Sequence, residues 1–321
     1  MLVVILLALF VLVGEGSPFV LLLLYLPRVL WILPGLLLLP FSLRPGRRAL
    51  LAPLAVGALV WLFPIMGFVP PRPWHRGTEP TIRVLSYNTS HAADGVESLR
   101  ELVMQTHPDL VLFQWTSHLV EEALSGPPFA GWTVQRAGQF TVATRFPVLS
   151  LETCDVVEPW GPPCAHAVLQ TPIGTLDVYT VRPQSARFEI GAARHMGIRN
   201  RVRGLIRDLA SGHLAEITAH RETQYVAIAK LLAHAQHPVL ITGDTNLPQN
   251  SQFLPRYFGG YRDAFVESSW GFGFTHPSRL PWLRLDRVLL GPGLGASSFK
   301  VLSRRSSAHL PVLAEIGRSA N

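Results

Sequence analysis

The chain has 321 residues, of which 48% are apolar and only 15% charged, with a formal net charge of +7. Soluble proteins average roughly 25% charged residues, so a disordered or fibrous chain is excluded. The charge is also uneven: Glu15, Arg28, Arg44, Arg47 and Arg48 are the only charged side chains in residues 1–70.

In chain order, residues 2–13 form a short apolar run that Gly14, Glu15, Gly16, Ser17 and Pro18 interrupt. Residues 18–43 carry one charge, and residues 49–70 carry none. Each of the latter two is long enough to cross about 30 Å of hydrocarbon at 1.5 Å per residue. The expectation is a transmembrane anchor of two or three helices over residues 1–70. The loop RPGRR at 44–48 concentrates three arginines, which stay on the cytoplasmic side. The chain would then re-cross through 49–70 and place its body outside. A proline-rich linker follows at 71–81, and a body over 82–321.

Within the body, IRVLSYN at 82–88 alternates as a strand does, and VESLRELVMQTH at 96–107 has helical spacing. DLVLFQW at 109–115 is a buried strand after Pro108. TVQRAG, FTVATR, PVLSLET, HAVLQT and LDVYTVR are short strands separated by turn signals. Helices are expected at about 191–209 and 215–235. The first, at 196–209, has an apolar stripe and a cationic face of Arg199, Arg201, Arg203 and Arg207. PVLITGD at 238–244, LRLDRVLL, FKVLSRR and LPVLAEI are the remaining strands. Short strands interspersed with helices imply a layered α/β sandwich. Cys154 and Cys164 flank Pro162-Pro163 and could close a hairpin by a disulfide, which persists in an oxidising compartment. The basic balance is weak evidence for a nucleic-acid partner, because Lys230 and Lys300 are the only lysines and the arginine excess is met by a solvated surface.

Polar residues stand where the apolar strands stop. Asn88 ends the first strand, and Gly243-Asp244-Thr245-Asn246 follows Ile241. Asp286 interrupts LRLDRVLL, and His309 precedes Leu310-Pro311. Singly, each is an ordinary turn former. In order, RVLSYN, PDLVLFQ, GDTN, LRLDRVLL and SAHLPVLAEI resemble the successive motifs of the endonuclease/exonuclease/phosphatase superfamily, the DNase I-like fold. The resemblance implies a four-layer α/β sandwich, two mixed β-sheets flanked by helices, with the site at one rim. It also implies phosphoester hydrolysis with a divalent cation, usually Mg²⁺. The apolar front with an external body resembles a bacterial, membrane-anchored subset, some of which act on lipid-linked phosphates.

The resemblance makes His309 the base or phosphate-contacting group and Asp286 its orienting partner. It makes Asp244 the residue that orients the attacking water. Asn246 and Asn88 would contact phosphoryl oxygens or position carboxylates. Three positions depart from the pattern. Trp115 stands where the family has its principal metal-binding Glu, Ala308 where it has Asp, and Arg182 where it has His. Indole and methyl groups cannot coordinate a hard cation, which makes the Mg²⁺ expectation doubtful. Arg182 is a permanent cation whose fork suits phosphate, a substrate-binding candidate. His91 and His118 are candidate replacement ligands. The leading expectation is a membrane-anchored phosphoesterase acting on lipid-linked phosphates or headgroups. The alternatives are an inactive relative that binds a phosphorylated ligand or protein, and an extracytoplasmic nuclease. Nucleic acid is not favoured as partner.

Overall fold

The computed structural model describes residues 1–71, 78–92, 95–154, 161–186, 212–304 and 306–319. The expected cationic helix at 196–209 lies outside the described residues.

Strand β1 (Thr78–Asn88) starts four residues before the expected IRVLSYN, because pairing with the chain's last strand continues through a bulge between Thr78 and Thr81. Helix α5 (Val96–Thr106) and strand β2 (Leu110–Gln114) follow, then α6 (His118–Leu124). Strands β3 (Thr133–Ala137), β4 (Phe140–Thr144), β5 (Val148–Thr153), β6 (Cys164–Thr171) and β7 (Gly174–Val181) match the short runs in the sequence. The long helix α7 (His213–Ala233) leads to β8 (Val239–Asp244). Two short helices, α8 (Phe253–Phe258) and α9 (Ala264–Ser268), flank β9 (Arg262–Asp263). Strands β10 (Asp286–Leu290), β11 (Leu294–Val301) and β12 (Val312–Arg318) close the body.

These strands form two six-stranded sheets, in the orders β11-β12-β1-β2-β4-β3 and β5-β6-β7-β8-β10-β9. Each contains one parallel pair, β1 with β2 and β7 with β8, among antiparallel neighbours. Side chains alternate across a strand, so each sheet has two apolar faces to bury. Val84, Leu112, Val178, Leu240, Val288 and Val312 fill the space between the sheets. Leu85, Tyr87, Val111 and Phe113 face outward onto Leu99, Leu102 and Val103 of α5. Tyr179, Ile241 and Leu289 face the other way onto Tyr225, Ile228 and Leu232 of α7. Full burial of each large aliphatic contributes about 1.5–3 kcal/mol. The result is the expected helix–sheet–sheet–helix sandwich. Cys154 and Cys164 are disulfide-bonded with Cα atoms 5.5 Å apart.

The front segment departs from straight spans. Helices α1 (Leu2–Leu12), α2 (Pro18–Tyr25), α3 (Leu33–Ser42) and α4 (Leu51–Val60) are short. Arg48–Ile65 is one continuous apolar helix of 18 residues, and almost none of it is buried by the rest of the chain. The run at 18–42 instead breaks between Tyr25 and Arg28, with its two halves bent by 96°. Pro27 is the physical cause: proline has no N–H to donate, and it pushes the preceding residue out of the helical region. Leu26 accordingly adopts an extended backbone, φ −70° and ψ 153°. Leu2–Leu12 is apolar but shorter than a span. The front segment also packs on the body. Phe10, Leu21, Leu24 and Ile65 share one apolar cluster with Ala186, Leu283 and Leu285.

Candidate active site

Register brings the polar strand ends together. Asn88 pairs across from Gln114, Val181 from Gly243, and Asp286 from Asp244. Both sheets therefore present their polar ends at one rim, and His309 joins them from the loop before β12. Gly243 makes the close approach of β7 and β8 possible. Its φ is +124°, and a Cβ there would lie 2.3 Å from the Val181 carbonyl oxygen. Any side chain would force the strands apart just before Asp244.

The centre is a chain of three side chains. His309 Nδ1 lies 2.8 Å from Asp286 Oδ2, and His309 Nε2 lies 3.5 Å from Asp244 Oδ2. A carboxylate only accepts hydrogen bonds, so Nδ1 carries the proton that Asp286 accepts, while Nε2 faces Asp244 beyond direct hydrogen-bond length. Asp286 is 1% and His309 4% exposed, a low-polarity setting that strengthens the contact. Asp244 is held from two sides. Asn88 Nδ2 donates to its Oδ2 at 2.9 Å, and the Asn246 backbone N–H donates to its Oδ1 at 2.9 Å. Asn88 thus positions the carboxylate. The Asn246 side chain donates to the Pro183 carbonyl at 2.8 Å, tying the end of β8 to the residue after Arg182.

Thr275, outside every motif, and Ser307, which opens SAHLPVLAEI but carried no assigned role, hold this geometry. Thr275 Oγ1 accepts from the N–H groups of Leu285 and Asp286, both at 3.2 Å, while its carbonyl accepts from Leu310 N–H at 2.8 Å. It therefore fixes the spacing between Asp286 and His309. Ser307 Oγ donates to the Asn88 carbonyl at 2.6 Å and accepts from His309 N–H at 3.2 Å. The ring of His276 lies 4.8 Å from that of His309. Ser307 and Thr275 each link a nearer residue in sequence to a distant segment, Ser307 to Asn88 and Thr275 to Leu310, and no spacing rule identifies that second partner.

The departures from the family pattern form their own constellation. Trp115 adopts a left-handed backbone, φ +54°. The Arg182 guanidinium stacks over its ring at 4.1 Å, and Arg182 Nη1 donates to Gln139 Oε1 at 2.6 Å. A cation over an indole is attracted by the ring quadrupole. His91 meets the same indole edge-on at 5.0 Å. Burial, with Arg182 second, holds the His91 pKa below the usual histidine value. Ala308 is exposed, and its side chain supplies no oxygen.

Asp244, Asp286 and His309 each offer one ligand atom, all within 4.8 Å of one another, so the three could hold a metal ion. Among the described residues, Asp286 Oδ1 is a buried acceptor without a hydrogen-bond partner. The donor set is two carboxylates and one imidazole. That set suits ions that take nitrogen beside oxygen, and it does not reproduce the oxygen shell that Mg²⁺ prefers. His91 and His118 do not join a metal-binding group among the described residues.

Comparison with known proteins agrees with this architecture. Solved structures of similar fold include humanized Danio rerio TDP2 (15% identity, TM-score 0.54, covering 74% of this chain and 99% of that one). They include a Neisseria meningitidis 3'-5' exonuclease (15%, 0.53, 74% and 100%). A third is the Bacteroides thetaiotaomicron mannosyl-6-phosphatase Bt3783 (15%, 0.51, 73% and 99%). No curated protein matches the chain in sequence. These likenesses establish the fold. Residues 85–309 match the Endonuclease/Exonuclease/phosphatase family, whose members are typically metal-dependent, and the chain belongs to that family.

Proposed function

We propose that the protein is a membrane-anchored phosphoesterase whose proton-handling group is His309. The observation that carries this reading is the buried relay Asp286–His309–Asp244, at 2.8 and 3.5 Å. Asp286 fixes the ring and its tautomer. Asp244 orients a water, the Nε2 lone pair of His309 accepts its proton as oxygen attacks phosphorus, and the P–O bond breaks with its electron pair going to the leaving oxygen, which then takes the proton back from Nε2. Asn88 and Asn246 hold Asp244 in place. Arg182, stacked on Trp115, binds the substrate phosphate with a charge that does not titrate. No step is assigned to Mg²⁺, because positions 115 and 308 lack its ligands.

The apolar front segment supports a lipid-linked phosphate or phospholipid headgroup as substrate. Arg48–Ile65 is long and apolar enough to span, and the bent pair at 18–42 is a second candidate. Leu50, Val56, Leu59 and Phe63 are exposed along the first, an apolar surface suited to acyl chains. The arginines at 44–48 and the Cys154–Cys164 disulfide support an external body. The test is phosphate release by the full chain in nanodiscs. Polyprenyl phosphate and phosphatidyl substrates should be cleaved, and a DNA oligonucleotide should not. Protease added to intact spheroplasts should digest the body; digestion only after lysis would reverse the topology. The vacated ligand positions favour a second reading, binding of a phosphorylated ligand without turnover. That reading takes over if wild type cleaves no phosphoester with any divalent ion.

A further inference from the structure

The turn at 244–247 carries Asp244 and Asn246, and its backbone oxygens are taken from beneath. Tyr225 OH donates to the Thr245 carbonyl at 2.8 Å, and Arg287 Nη1 donates to the Leu247 carbonyl at 2.7 Å. The Asn246 carbonyl accepts two hydrogen bonds, from Arg221 Nη2 at 3.0 Å and from Tyr25 OH at 2.7 Å. Arg221 Nη2 also donates to Tyr25 OH at 3.0 Å. Tyr225, Arg287 and Arg221 belong to the body, whereas Tyr25 ends an apolar helix of the front segment.

The chain just after the turn is bound to the same segment. Glu15 accepts from Ser251 Oγ, and from Gln252 N–H at 3.0 Å. Arg28 Nη1 donates to Asn250 Oδ1 at 2.5 Å, and Gln249 Nε2 donates to the Met66 carbonyl at 2.9 Å. Glu15 and Arg28 are therefore buried charges with partners, not charges stranded in an apolar run.

We infer that Tyr25, together with Arg221, is a positioning residue that makes the front segment a working part of the site. Asn246 has a left-handed backbone, φ +49°. Asparagine visits that region more readily than most other non-glycine residues, and the hydrogen bonds to its carbonyl from Tyr25 and Arg221 hold it there. Its N–H is one of the groups that fix Asp244. The contact runs from Tyr25 through the Asn246 carbonyl and N–H to the Asp244 carboxylate, which faces His309. The inference rests on the reading of Asp244 as a site residue, but its test does not depend on activity.

The experiment uses the full chain in nanodiscs. Tyr25→Phe keeps the ring and removes the hydroxyl, and Arg221→Lys keeps the charge and removes the fork. Hydrogen exchange at backbone amides 244–247 should rise about tenfold in Tyr25→Phe, while α7 and β8 up to Ile241 exchange as in wild type. Phosphoester hydrolysis should show kcat lowered about tenfold with KM within twofold. The Tyr25→Phe/Arg221→Lys double variant should be little worse than the worse single variant. If either variant fails to fold, the other carries the same readout. Unchanged exchange at 244–247 in a folded variant overturns the inference. So does a uniform rise over the whole body, which would report lost stability alone. If wild type cleaves nothing but exchange responds locally, the coupling stands and the phosphoesterase reading falls.

Discussion

Replacing Asp286 with Asn is the most direct probe of the proposed relay, because it removes charge while preserving shape. The side chain is 1% exposed and accepts a hydrogen bond through Oδ2, from His309 Nδ1 at 2.8 Å; among the described residues Oδ1 has no partner. An asparagine can place its carbonyl oxygen at Oδ2 and its NH₂ at Oδ1, so the fold is retained. The lost contribution is that of a charge-assisted bond in a buried site, about 1.5–3 kcal/mol. At 1.36 kcal/mol per tenfold, this predicts a fall in kcat of roughly 10- to 150-fold. The assay is phosphate release by wild type, Asp286→Asn, His309→Ala and the double variant. The two residues act as one unit, so the double variant should be little slower than the slower single variant. Fully additive losses, or an Asp286→Asn rate within threefold of wild type, would refute the relay.

Trp115→Glu with Ala308→Asp restores two oxygen ligands at the rim and should strengthen Mg²⁺ binding measured by calorimetry; unchanged affinity in a folded protein would mean the metal positions are misassigned. Arg182→Gln removes a cation beside His91, so the His91 pKa should rise from its depressed value while the part due to burial remains, as followed by ring NMR shifts. Asp177 is an acid-limb test at the opposite end of β7–β8. Burial raises its pKa, but the backbone N–H of His237, the His166 ring and the backbone N–H of Gln236 outweigh this, leaving the net value lowered. Its contribution to stability is therefore full above the unfolded value of about 3.9 and fades as pH falls through the lower folded value. Asp177→Asn should lower the melting temperature at pH 7, with the gap from wild type closing below pH of about 4; a pH-independent gap would contradict the assignment.

The strand order around the site was legible because burial imposes a short-range pattern. IRVLSYN alternates at its start because Arg83 is only partly buried between the buried Ile82 and Val84, and β2 reads as an apolar run because all five of its residues are buried on both faces. β1 and β8 end at the rim in Asn88 and Asp244, and β10 begins there with Asp286, because a polar group inside an apolar core is costly without a partner. The motifs thus located the Asp286–His309 pair before any distance was known. The break at Pro27 follows from proline chemistry, yet the apolar count over 18–43 concealed it, since hydropathy does not record an N–H that is missing. What only the tertiary structure decided is which polar groups share a partner. Asn88 donates to a carboxylate 156 positions away, and Tyr25 to a carbonyl 221 positions away. In sequence, Arg28 and Glu15 are isolated charges in an apolar stretch. In the fold, each is buried against the segment that follows the Asp244 turn. Local pattern reports whether a side chain is buried. Its hydrogen-bond partner is set by sheet register and by the docking of the front segment onto the body, and no spacing along the chain encodes either.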